Sequence, residues 1–586
     1  MTKQLPKVDV VLVGFGWTGA IYAEKLTAAG MEVLALERGP WRDTPKDFAT
    51  TFAQDELRYY WRHGMFQEAS QSTVTFRNNG AQTALPMRHW GSFLPGNGVG
   101  GSGVHWNGQT YRFLPSDFVA KSHNEERYGP LPEGMTVQDY GVTYEELEPH
   151  FDYFEKICGI CGTAGNLRGD IRKGGNPFEG PRSDDYPNPP MQMTFSQDRF
   201  EASARDMGLS PFPVPSANMS RAYVNPLGMQ LAPCTYCGFC EKHGCGNYSK
   251  SSPQTTIIPV LMKRDNFTLR TDSEVLSVEK SPDDTRTTGV TYVDTSGEEF
   301  FQPAEVVVIC AYPLENARLM LLSDIGTPYD PQTGVGVVGK NYCYQVMSGA
   351  TVFYDEEYTN GFVGAGALGM AVDEYNGDNF DHSGLGFIGG GYIACYTTNA
   401  RPIESHPVPE GVPGWGSEWK QSVRANFLKT TTVGVHGASM AHRSNYLDLD
   451  PTYTDRHGRP LLRMTYDFTL NDRRLTAHLT PVAEEIARGM GGREVNVAER
   501  KGSYDSMPYQ TTHNTGGTIM GTDPQTSVCN RYCQSWDLHN LFVAGAGLFP
   551  QNAGYNPTGT VAALAYWSVA AIIDQYMADP GPLVQA

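Results

Sequence analysis

The sequence contains no apolar run long enough to cross a lipid bilayer. Its longest apolar stretch, residues 561–573, is interrupted by Ser568, whereas a membrane-spanning helix needs about 20 apolar residues. No apolar segment typical of a signal peptide precedes the first predicted strand at Val8. No internal repeat of solenoid or propeller length is visible. Read alone, these absences predict a soluble chain that is made in the cytoplasm.

Basic residues are in deficit. The chain has 45 Lys and Arg against 64 Asp and Glu, a net charge of −19. Because an acidic surface repels phosphate backbones, nucleic-acid binding is a poor expectation. The 64 glycines and 39 prolines are spread along the 586 residues without a collagen-like period. This composition indicates a loop-rich globular enzyme, with three or four domains at about 150 residues each.

The 11 cysteines are an odd number, and their spacing does not suggest a disulfide framework. Four of them, Cys234, Cys237, Cys240 and Cys245, follow the spacing C-x2-C-x2-C-x4-C. Short C-x2-C steps bring thiolates together, as in ferredoxins, although here the last spacing differs and Gly246 replaces the usual proline. We therefore expect an iron–sulfur cluster. Zinc, which usually needs two separated pairs, and reduced or disulfide-bonded cysteines remain alternatives.

The first forty residues carry a dinucleotide-binding pattern. Residues 8–13 are nearly all apolar and predict a buried parallel strand. The glycine pattern GFGWTG, a helical segment, a second strand and Glu37 follow in order. In such motifs the first glycine makes the turn, the second lets a pyrophosphate approach, the third lets helix and strand pack, and the acid binds ribose hydroxyls. The three glycines are Gly14, Gly16 and Gly19. The pattern predicts FAD or NAD. FAD is favoured by analogy, because many flavoproteins begin with such a motif ending in Glu-Arg-Gly, here residues 37–39.

A second glycine-rich segment, residues 95–108, reads PGNGVGGSGVHWNG. Six glycines in 14 residues suit a backbone that lies flat against a ligand. The alternative is a solvent-exposed loop, but a bulky His-Trp-Asn cluster rarely lies bare in one. We expect ligand contacts from Gly100, Gly101, His105 and Asn107.

Together with the N-terminal pattern, GVGGSGVHWNG resembles the glucose–methanol–choline family of flavin oxidoreductases. The resemblance implies an α/β fold: a Rossmann-like FAD-binding domain of the type also seen in p-hydroxybenzoate hydroxylase, with an α+β substrate domain built on an antiparallel sheet. In this family the loop wraps the flavin, and in some members a histidine at the position of His105 bonds covalently to it. A covalent tether through His105 is therefore a hypothesis, and a non-covalent hydrogen bond is the alternative.

The resemblance also implies a catalytic pair. His513, in HNTGGT, and Asn556, in NPTG, stand 43 residues apart and match the family's two catalytic positions. Alcohol oxidation removes a hydride from carbon and a proton from oxygen. A neutral imidazole can accept the proton, and a second polar group can hold the hydroxyl. His513 is thus the expected base and Asn556 the orienting partner. The remaining predicted contacts with FAD are Val275, Ala546, Pro557 and Thr558.

The cysteine insert and the opening VGFGWTGA are similar to a subgroup of this family, the membrane-bound dehydrogenases that act on gluconate and 2-ketogluconate. This similarity implies oxidation of a secondary hydroxyl of gluconate or a keto-aldonate. Electrons would leave the flavin through a 3Fe-4S cluster (4Fe-4S being possible) for a multihaem cytochrome c subunit. A small subunit would carry the chain to the periplasmic face of the inner membrane, with membrane contact only through partners; a cytoplasmic location is the alternative. Substrate alternatives are a polyol, a ketose or a glycoside, and a non-catalytic electron-transfer subunit is a further alternative.

The predicted architecture has three parts. A discontinuous FAD-binding domain takes residues 1–120, 225–340 and 535–586, and a substrate domain takes residues 341–534. Residues 121–224 form a covering insertion between them. An anionic substrate needs a cation near the flavin. The candidates are Arg112, Arg443 and Lys429, although a surface charge is the ordinary interpretation of each.

Overall fold

The computed structural model describes residues 2–48, 64–91, 93–357, 359, 362–397, 406–508 and 510–583. Two large sheets organise the chain, one mainly parallel and one antiparallel. None of the helices in the described ranges is both long and apolar enough to cross a membrane. The predicted class, an α/β FAD-binding fold joined to an antiparallel sheet, is confirmed.

The first sheet is built around the strand Val8–Val13, whose last four residues are almost completely buried. Both faces of this strand are covered, as its continuous apolar sequence requires. Across the sheet, the strands run in the order Phe267–Arg270, Val33–Leu36, Val8–Val13, Glu299–Ile309, Thr287–Asp294 and Ser273–Lys280. The first four are parallel, the last two are antiparallel, and Leu541–Val543 and Lys3–Gln4 also pair with Glu299–Ile309.

Three helices pack together beside this sheet. Trp17–Ala28 follows the first strand and packs against Thr558–Ala571. The second of these helices is apolar on nearly all sides, which requires burial all round. The helix Tyr144–Cys158 provides the missing cover. Residues within the predicted insertion 121–224 therefore pack against the FAD-binding part.

The second sheet is antiparallel and has six strands. Their order is Glu494–Ala498, Val346–Phe353, Thr430–Gly437, Gly391–Tyr396, Gly369–Val372 and Phe212–Pro213. The amphipathic helix Leu470–Gly489 covers one face and packs against the central strands. Its buried apolar residues are Leu475, Leu479, Ala483, Ile486 and Ala487. The last strand comes from the insertion 121–224, which also supplies the helix Phe195–Asp206.

A smaller sheet joins two segments that are far apart in the sequence. Thr75–Arg77 pairs with Leu85–Pro86 and runs parallel to Pro460–Thr465, which pairs with Tyr446–Thr454. Part of the predicted range 1–120 is thus a strand neighbour of the predicted range 341–534. Further helices are Thr44–Asp47, Pro115–Phe118, Ala120–Tyr128, Pro253–Thr256, Ile258–Leu261, Pro313–Leu322 and Gly416–Asn426.

Candidate active site

A cavity of about 600 Å³ runs between the two sheets. One end lies at the N-terminal glycine motif and the other at the antiparallel sheet. Its wall includes the predicted cofactor contacts Gly14, Gly16, Glu37, Gly101, His105, Asn107, Val275, Ala546, Pro557 and Thr558, and the predicted catalytic residues His513 and Asn556. Residues separated by more than 500 positions therefore meet at one site.

The N-terminal glycines differ in what surrounds them. Gly14 has φ +95°, and a Cβ there would lie 2.7 Å from the carbonyl oxygen of Cys310. A Cβ on Gly19 would lie 2.5 Å from the carbonyl oxygen of Gly14, so this glycine packs behind the wall. At Gly16 the nearest atom to a Cβ is 3.8 Å away, and the space belongs to the cavity. The helix Trp17–Ala28 begins here with no side-chain cap and no acid in its first turn. This uncapped positive end fits a pyrophosphate.

Glu37 is buried at the same end, and both of its carboxylate oxygens accept backbone hydrogen bonds. One accepts from the Phe15 N–H at 3.0 Å and the other from the Gly39 N–H at 2.8 Å. Burial raises the pKa of this carboxyl, and these N–H groups oppose the rise. The side chain still lines the cavity, and each oxygen keeps a second lone pair. The backbone contacts thus fix the orientation of the acid that we predicted to meet a ribose.

The second glycine segment crosses the first. Gly100 has φ +92° and packs against the side chain of Gln254, while a Cβ on Gly101 would lie 3.2 Å from the Cα of Gly16. Two glycine backbones therefore approach each other where the pyrophosphate would lie. Asn107 anchors the end of the segment, because its Oδ1 accepts from the Gln109 N–H at 3.1 Å.

His105 is 4% exposed, and its Nε2 atom has no hydrogen-bond partner among the described residues. Burial, with a contribution from Lys250, lowers the pKa of the imidazole to about 3. The ring is therefore neutral and presents a lone pair or an N–H at the cavity wall. An orphaned buried nitrogen at this place fits direct contact with a bound flavin.

At the other end of the cavity, His513 is held by a residue that the sequence did not reveal. Its Nδ1 lies 2.6 Å from Oε1 of Gln345, and Nε2 of Gln345 donates to the carbonyl oxygen of Gly554 at 2.5 Å. Because Gln345 Oε1 can only accept, the proton of neutral His513 is on Nδ1 and the lone pair is on Nε2. Burial, and then the neighbouring His436, lower the pKa of His513 to about 3. The side chain is therefore an unprotonated base at neutral pH.

Asn556 lies directly beside this base. Its Nδ2 donates to His513 Nε2 at 3.1 Å, and its Oδ1 accepts from the Tyr392 hydroxyl at 2.7 Å. Tyr392 is fully buried and stacks on His436, with 4.6 Å between ring centroids. Gln345, Tyr392 and His436 are the functional neighbours that we did not predict. No local motif marks them, because each reaches the site from a strand of the antiparallel sheet or from the segment that leads into it.

The helix Thr558–Ala571 begins at the cavity with Pro557 as its N-cap. It has no side-chain cap and no acid in its first turn. Pro557 and Thr558 both line the cavity. The positive end of the helix dipole thus faces the cavity and would favour negative charge on a group held there.

The antiparallel sheet closes the cavity with uncharged side chains. Thr430, Thr432 and His436 lie on one strand and Tyr396 on the next, and all four line the wall. Hydroxyl and imidazole groups of this kind can exchange hydrogen bonds with several hydroxyls of a ligand. This end of the cavity is suited to a polyhydroxy compound.

The predicted cations do not meet this site. Arg112 is buried, not at the surface, and its guanidinium binds Glu155 at 2.8 Å and Glu148 at 2.8 Å. Arg443 is exposed and donates to the carbonyl oxygen of Pro331, and Lys429 donates to that of Asp355. The surface interpretation of Arg112 was therefore wrong. Among the described residues, the cations that line the cavity are Arg38, Lys242, Arg318 and Arg459.

The four clustered cysteines lie in one loop beside the glycine-rich segment 95–108, where the Lys242 N–H donates to the His105 carbonyl oxygen at 2.9 Å. Cys240 is buried and the other three are half-buried. Burial raises the pKa of Cys234 to about 12, and Cys245 and Cys237 contribute to the rise. In the part of the chain that the structure describes, no three His, Cys, Asp or Glu side chains stand in an arrangement that would hold a metal ion. Cysteine thiolates are the right type of ligand for an iron–sulfur cluster. However, these four sulfur atoms are not arranged around one common point as they would be in a formed metal site.

A glycine-cradled cavity that ends at a neutral imidazole and an amide defines a dinucleotide-dependent oxidoreductase. Two family models described as GMC oxidoreductase match residues 216–347 and 441–565. The gluconate 2-dehydrogenase flavoprotein of Pantoea cypripedii is 47% identical, over 100% of this chain and 97% of its own. The fructose dehydrogenase large subunit of Gluconobacter japonicus is 25% identical, over 98% and 99%. Pyridoxine 4-oxidase from Mesorbium loti shares the fold, with a TM-score of 0.58, 17% identity and coverage of 96% and 99%.

The chain belongs to the GMC oxidoreductase family and is an FAD-dependent dehydrogenase. FAD bound in the cavity supplies the hydride acceptor. The glycine crossing and the uncapped helix ends are the parts of the wall that would hold it. The lone pair of His513 and the N–H of Asn556 point toward one place, where a hydroxyl group can give its proton to one and accept a hydrogen bond from the other.

Proposed function

We propose that the enzyme oxidises a secondary hydroxyl of gluconate or a keto-aldonate, with His513 as the base and Asn556 as the group that orients the alcohol. The observation that carries the chemistry is the 3.1 Å pair of Asn556 Nδ2 and His513 Nε2 at the cavity wall. The full-length relative that is named as a gluconate 2-dehydrogenase flavoprotein supports the substrate class. Intact catalytic groups disfavour a non-catalytic electron-transfer subunit.

A polyol, ketose or glycoside is the second candidate substrate, and the uncharged sheet face favours it. A carboxylate needs a cation, and among the described residues the cations that line the cavity are Arg38, Lys242, Arg318 and Arg459. Arg38 pairs with Glu315, and Arg318 and Arg459 pair with Asp455. A substrate carboxylate would have to compete with these acids, whereas an uncharged sugar would not.

The substrate is tested by anaerobic absorption spectroscopy of the purified holoenzyme. Gluconate and 2-ketogluconate are added to separate samples, and the flavin band near roughly 450 nm should bleach rapidly with one of them. The His513→Ala variant serves as a control, since it should bleach with dithionite and not with the acid. If neither acid bleaches an intact flavin and sorbitol, fructose or a glycoside does, the aldonate assignment fails.

We infer further that His105 tethers FAD covalently. The buried, unpartnered Nε2 atom supports this hypothesis, because such an atom otherwise costs about 1–3 kcal/mol. Acid precipitation of the wild type should leave the yellow flavin with the protein, and His105→Ala should release it. Release from the wild type as well would show that the contact is a non-covalent one.

We propose that Cys234, Cys237, Cys240 and Cys245 hold an iron–sulfur cluster, 3Fe-4S in preference to 4Fe-4S. A cluster there supplies one-electron transfer to a partner. The partners proposed are a small subunit and a multihaem cytochrome c subunit at the periplasmic face of the inner membrane. The cysteine spacing supports the cluster. The relative from Gluconobacter japonicus, which is named as a large subunit, supports the presence of partner subunits. A cytoplasmic location without these partners is the alternative.

Iron analysis of anaerobically purified protein tests the cluster. Three or more ligands from four cysteines must include Cys237 or Cys240, so the double variant Cys237→Ser/Cys240→Ser should lose the iron and its broad absorbance. Cys395→Ser, a buried thiol on the strand Gly391–Tyr396, is the matched control and should keep both. Wild-type protein without iron would remove the cluster and the reason for a cytochrome partner.

A further inference from the structure

The hydrogen bonds around His513 form one chain with a defined direction. At one end, the carbonyl oxygen of Gly554 can only accept a hydrogen bond, and it accepts from Gln345 Nε2. The amide of Gln345 is therefore oriented with Oε1 toward His513, as described above. Once one group in the series is known to accept, its neighbour must donate, and this rule assigns every later group in turn. The direction of the whole series is therefore fixed by the backbone carbonyl of Gly554.

The series of hydrogen bonds continues beyond His513 and Asn556 to three tyrosine hydroxyls. Tyr392 donates to Asn556 Oδ1 at 2.7 Å, Tyr396 donates to Tyr392 at 3.2 Å, and the Tyr111 and Tyr396 hydroxyls are 3.2 Å apart. Tyr392 also has Gln109 Oε1 at 3.2 Å, a longer contact for its single proton. The shorter distance assigns that proton to Asn556.

The Tyr392 ring has little freedom to move. It is 0% exposed, stacks on His436 at an interplanar angle of 8°, and contacts the Tyr111 ring with 5.0 Å between centroids. Its backbone lies in the strand Gly391–Tyr396, opposite His436 in the neighbouring strand. The hydroxyl is thus placed by packing and by strand register.

We propose that Tyr392 is a positioning residue of the alcohol oxidation, which holds the amide of Asn556 so that its N–H group, and not its carbonyl, faces His513 and the substrate oxygen. This inference rests on the proposed roles of His513 and Asn556. An amide turned by 180° would point its oxygen at His513 Nε2, which would then have to carry a proton. The fixed donor direction therefore keeps the base ready and gives the substrate oxygen a donor.

The test is a double-mutant cycle of Tyr392→Phe and Asn556→Ala, measured as anaerobic flavin reduction in stopped flow. The sugar used is the one among gluconate, 2-ketogluconate, fructose and sorbitol that reduces the wild type fastest. Tyr392→Phe should lower the limiting reduction rate about 10-fold and change the apparent Kd less than about 2-fold. In the Asn556→Ala background the same change should have almost no further effect, because Tyr392 acts through Asn556. An equal loss in both backgrounds would overturn the proposal.

Tyr576→Phe is the matched control, because it removes another buried tyrosine hydroxyl, which lies 3.1 Å from His539 Nδ1. It should reduce flavin at the wild-type rate. If Asn556→Ala itself reduces flavin at the wild-type rate, the proposed roles of the catalytic pair fail, which is distinct from failure of the Tyr392 proposal alone.

A second readout needs no substrate. The absorbance of the oxidised flavin is titrated with acid, and the same titration of His513→Ala is subtracted to isolate the ionisation of His513. The charge of His436 also acts on His513, and His436 remains in both proteins. We expect the His513 transition of Tyr392→Phe to move to higher pH than in the wild type. Identical titrations would mean that Tyr392 does not control which end of the amide faces the base.

Discussion

Replacing His513 by alanine is expected to lower the rate of flavin reduction by sugar substrate about 10²–10⁴-fold. This range is the usual contribution of a positioned general base. His513 Nε2 is the lone-pair nitrogen that faces the alcohol position, since Nδ1 is bound to Gln345. Stopped-flow reduction under anaerobic conditions measures the effect directly. Reduction by dithionite should be unchanged, because it does not require a base.

His513→Gln is a useful companion variant. It keeps a polar side chain of similar size without a basic nitrogen, so its loss of rate should be close to that of His513→Ala. If the glutamine variant retained more than about a tenth of the wild-type rate, hydrogen bonding rather than proton acceptance would be the main role of this side chain.

The pH dependence of the wild type follows from the same residue. In the proposed mechanism the neutral imidazole is the active form, and burial lowers its pKa to about 3. A lowered pKa extends the neutral form toward acid, so kcat/KM should stay level as the pH falls through 6.5, the ordinary value for histidine. The loss of activity should begin only well below that value. An acid limb centred between pH 6 and 7 would contradict this assignment of the base.

The parts of the site that could be predicted are those that short segments encode. Gly14, Gly16 and Gly19 stand next to each other because a turn and one helical step join them. His513 and Asn556 were identified by resemblance, and the structure places their side chains 3.1 Å apart. The groups that orient this pair come from distant sequence. Gln345 is 168 residues from His513, and strand register brings it there, so periodicity could not reveal it.

The positions of charged residues were even harder to predict from the sequence. A lone arginine in a sequence is usually a surface residue, and Arg112 is an exception because Glu148 and Glu155 meet it inside the protein, where Glu155 also binds Arg182. Glu155 is 43 residues away and Arg182 is 27 residues beyond that. Only the packing of three separate segments makes the burial of these charges possible, and single-sequence reasoning does not see such packing.

This buried cluster leads to the second large expected effect. Glu155 accepts from Arg112 Nε and Nη2, each at 2.8 Å, and also from Arg182, and all three side chains are almost inaccessible. Burial alone would raise the pKa of Glu155, but the two guanidinium groups lower it. Glu155→Gln would remove the counter-charge that the two buried guanidinium groups share, leaving Arg112 with Glu148 and Arg182 with Glu179. The free energy of unfolding should fall by about 3–5 kcal/mol.

Thermal and urea denaturation of the holoenzyme measure this loss. Glu201→Gln is the matched control, because Glu201 pairs with Arg205 at 2.7 Å on an exposed helix surface. Such a pair contributes about 0–1 kcal/mol. Equal stability of the two variants would show that the buried cluster is not needed for folding.

A further variant distinguishes two causes of the lost stability: unpaired buried charge and the simple loss of an ion pair. If the cost comes from unpaired buried charge, replacing Glu155, Arg112 and Arg182 together by leucine should recover much of the stability lost by Glu155→Gln. Glu155 belongs to the helix Tyr144–Cys158, which covers the helix Thr558–Ala571, and the latter begins two residues after Asn556. The single variant should therefore also release flavin at a lower temperature than the wild type, and the triple variant should retain it. Recovery of stability without recovery of flavin retention would show that the cluster positions the active-site helix by its charges and not only by its volume.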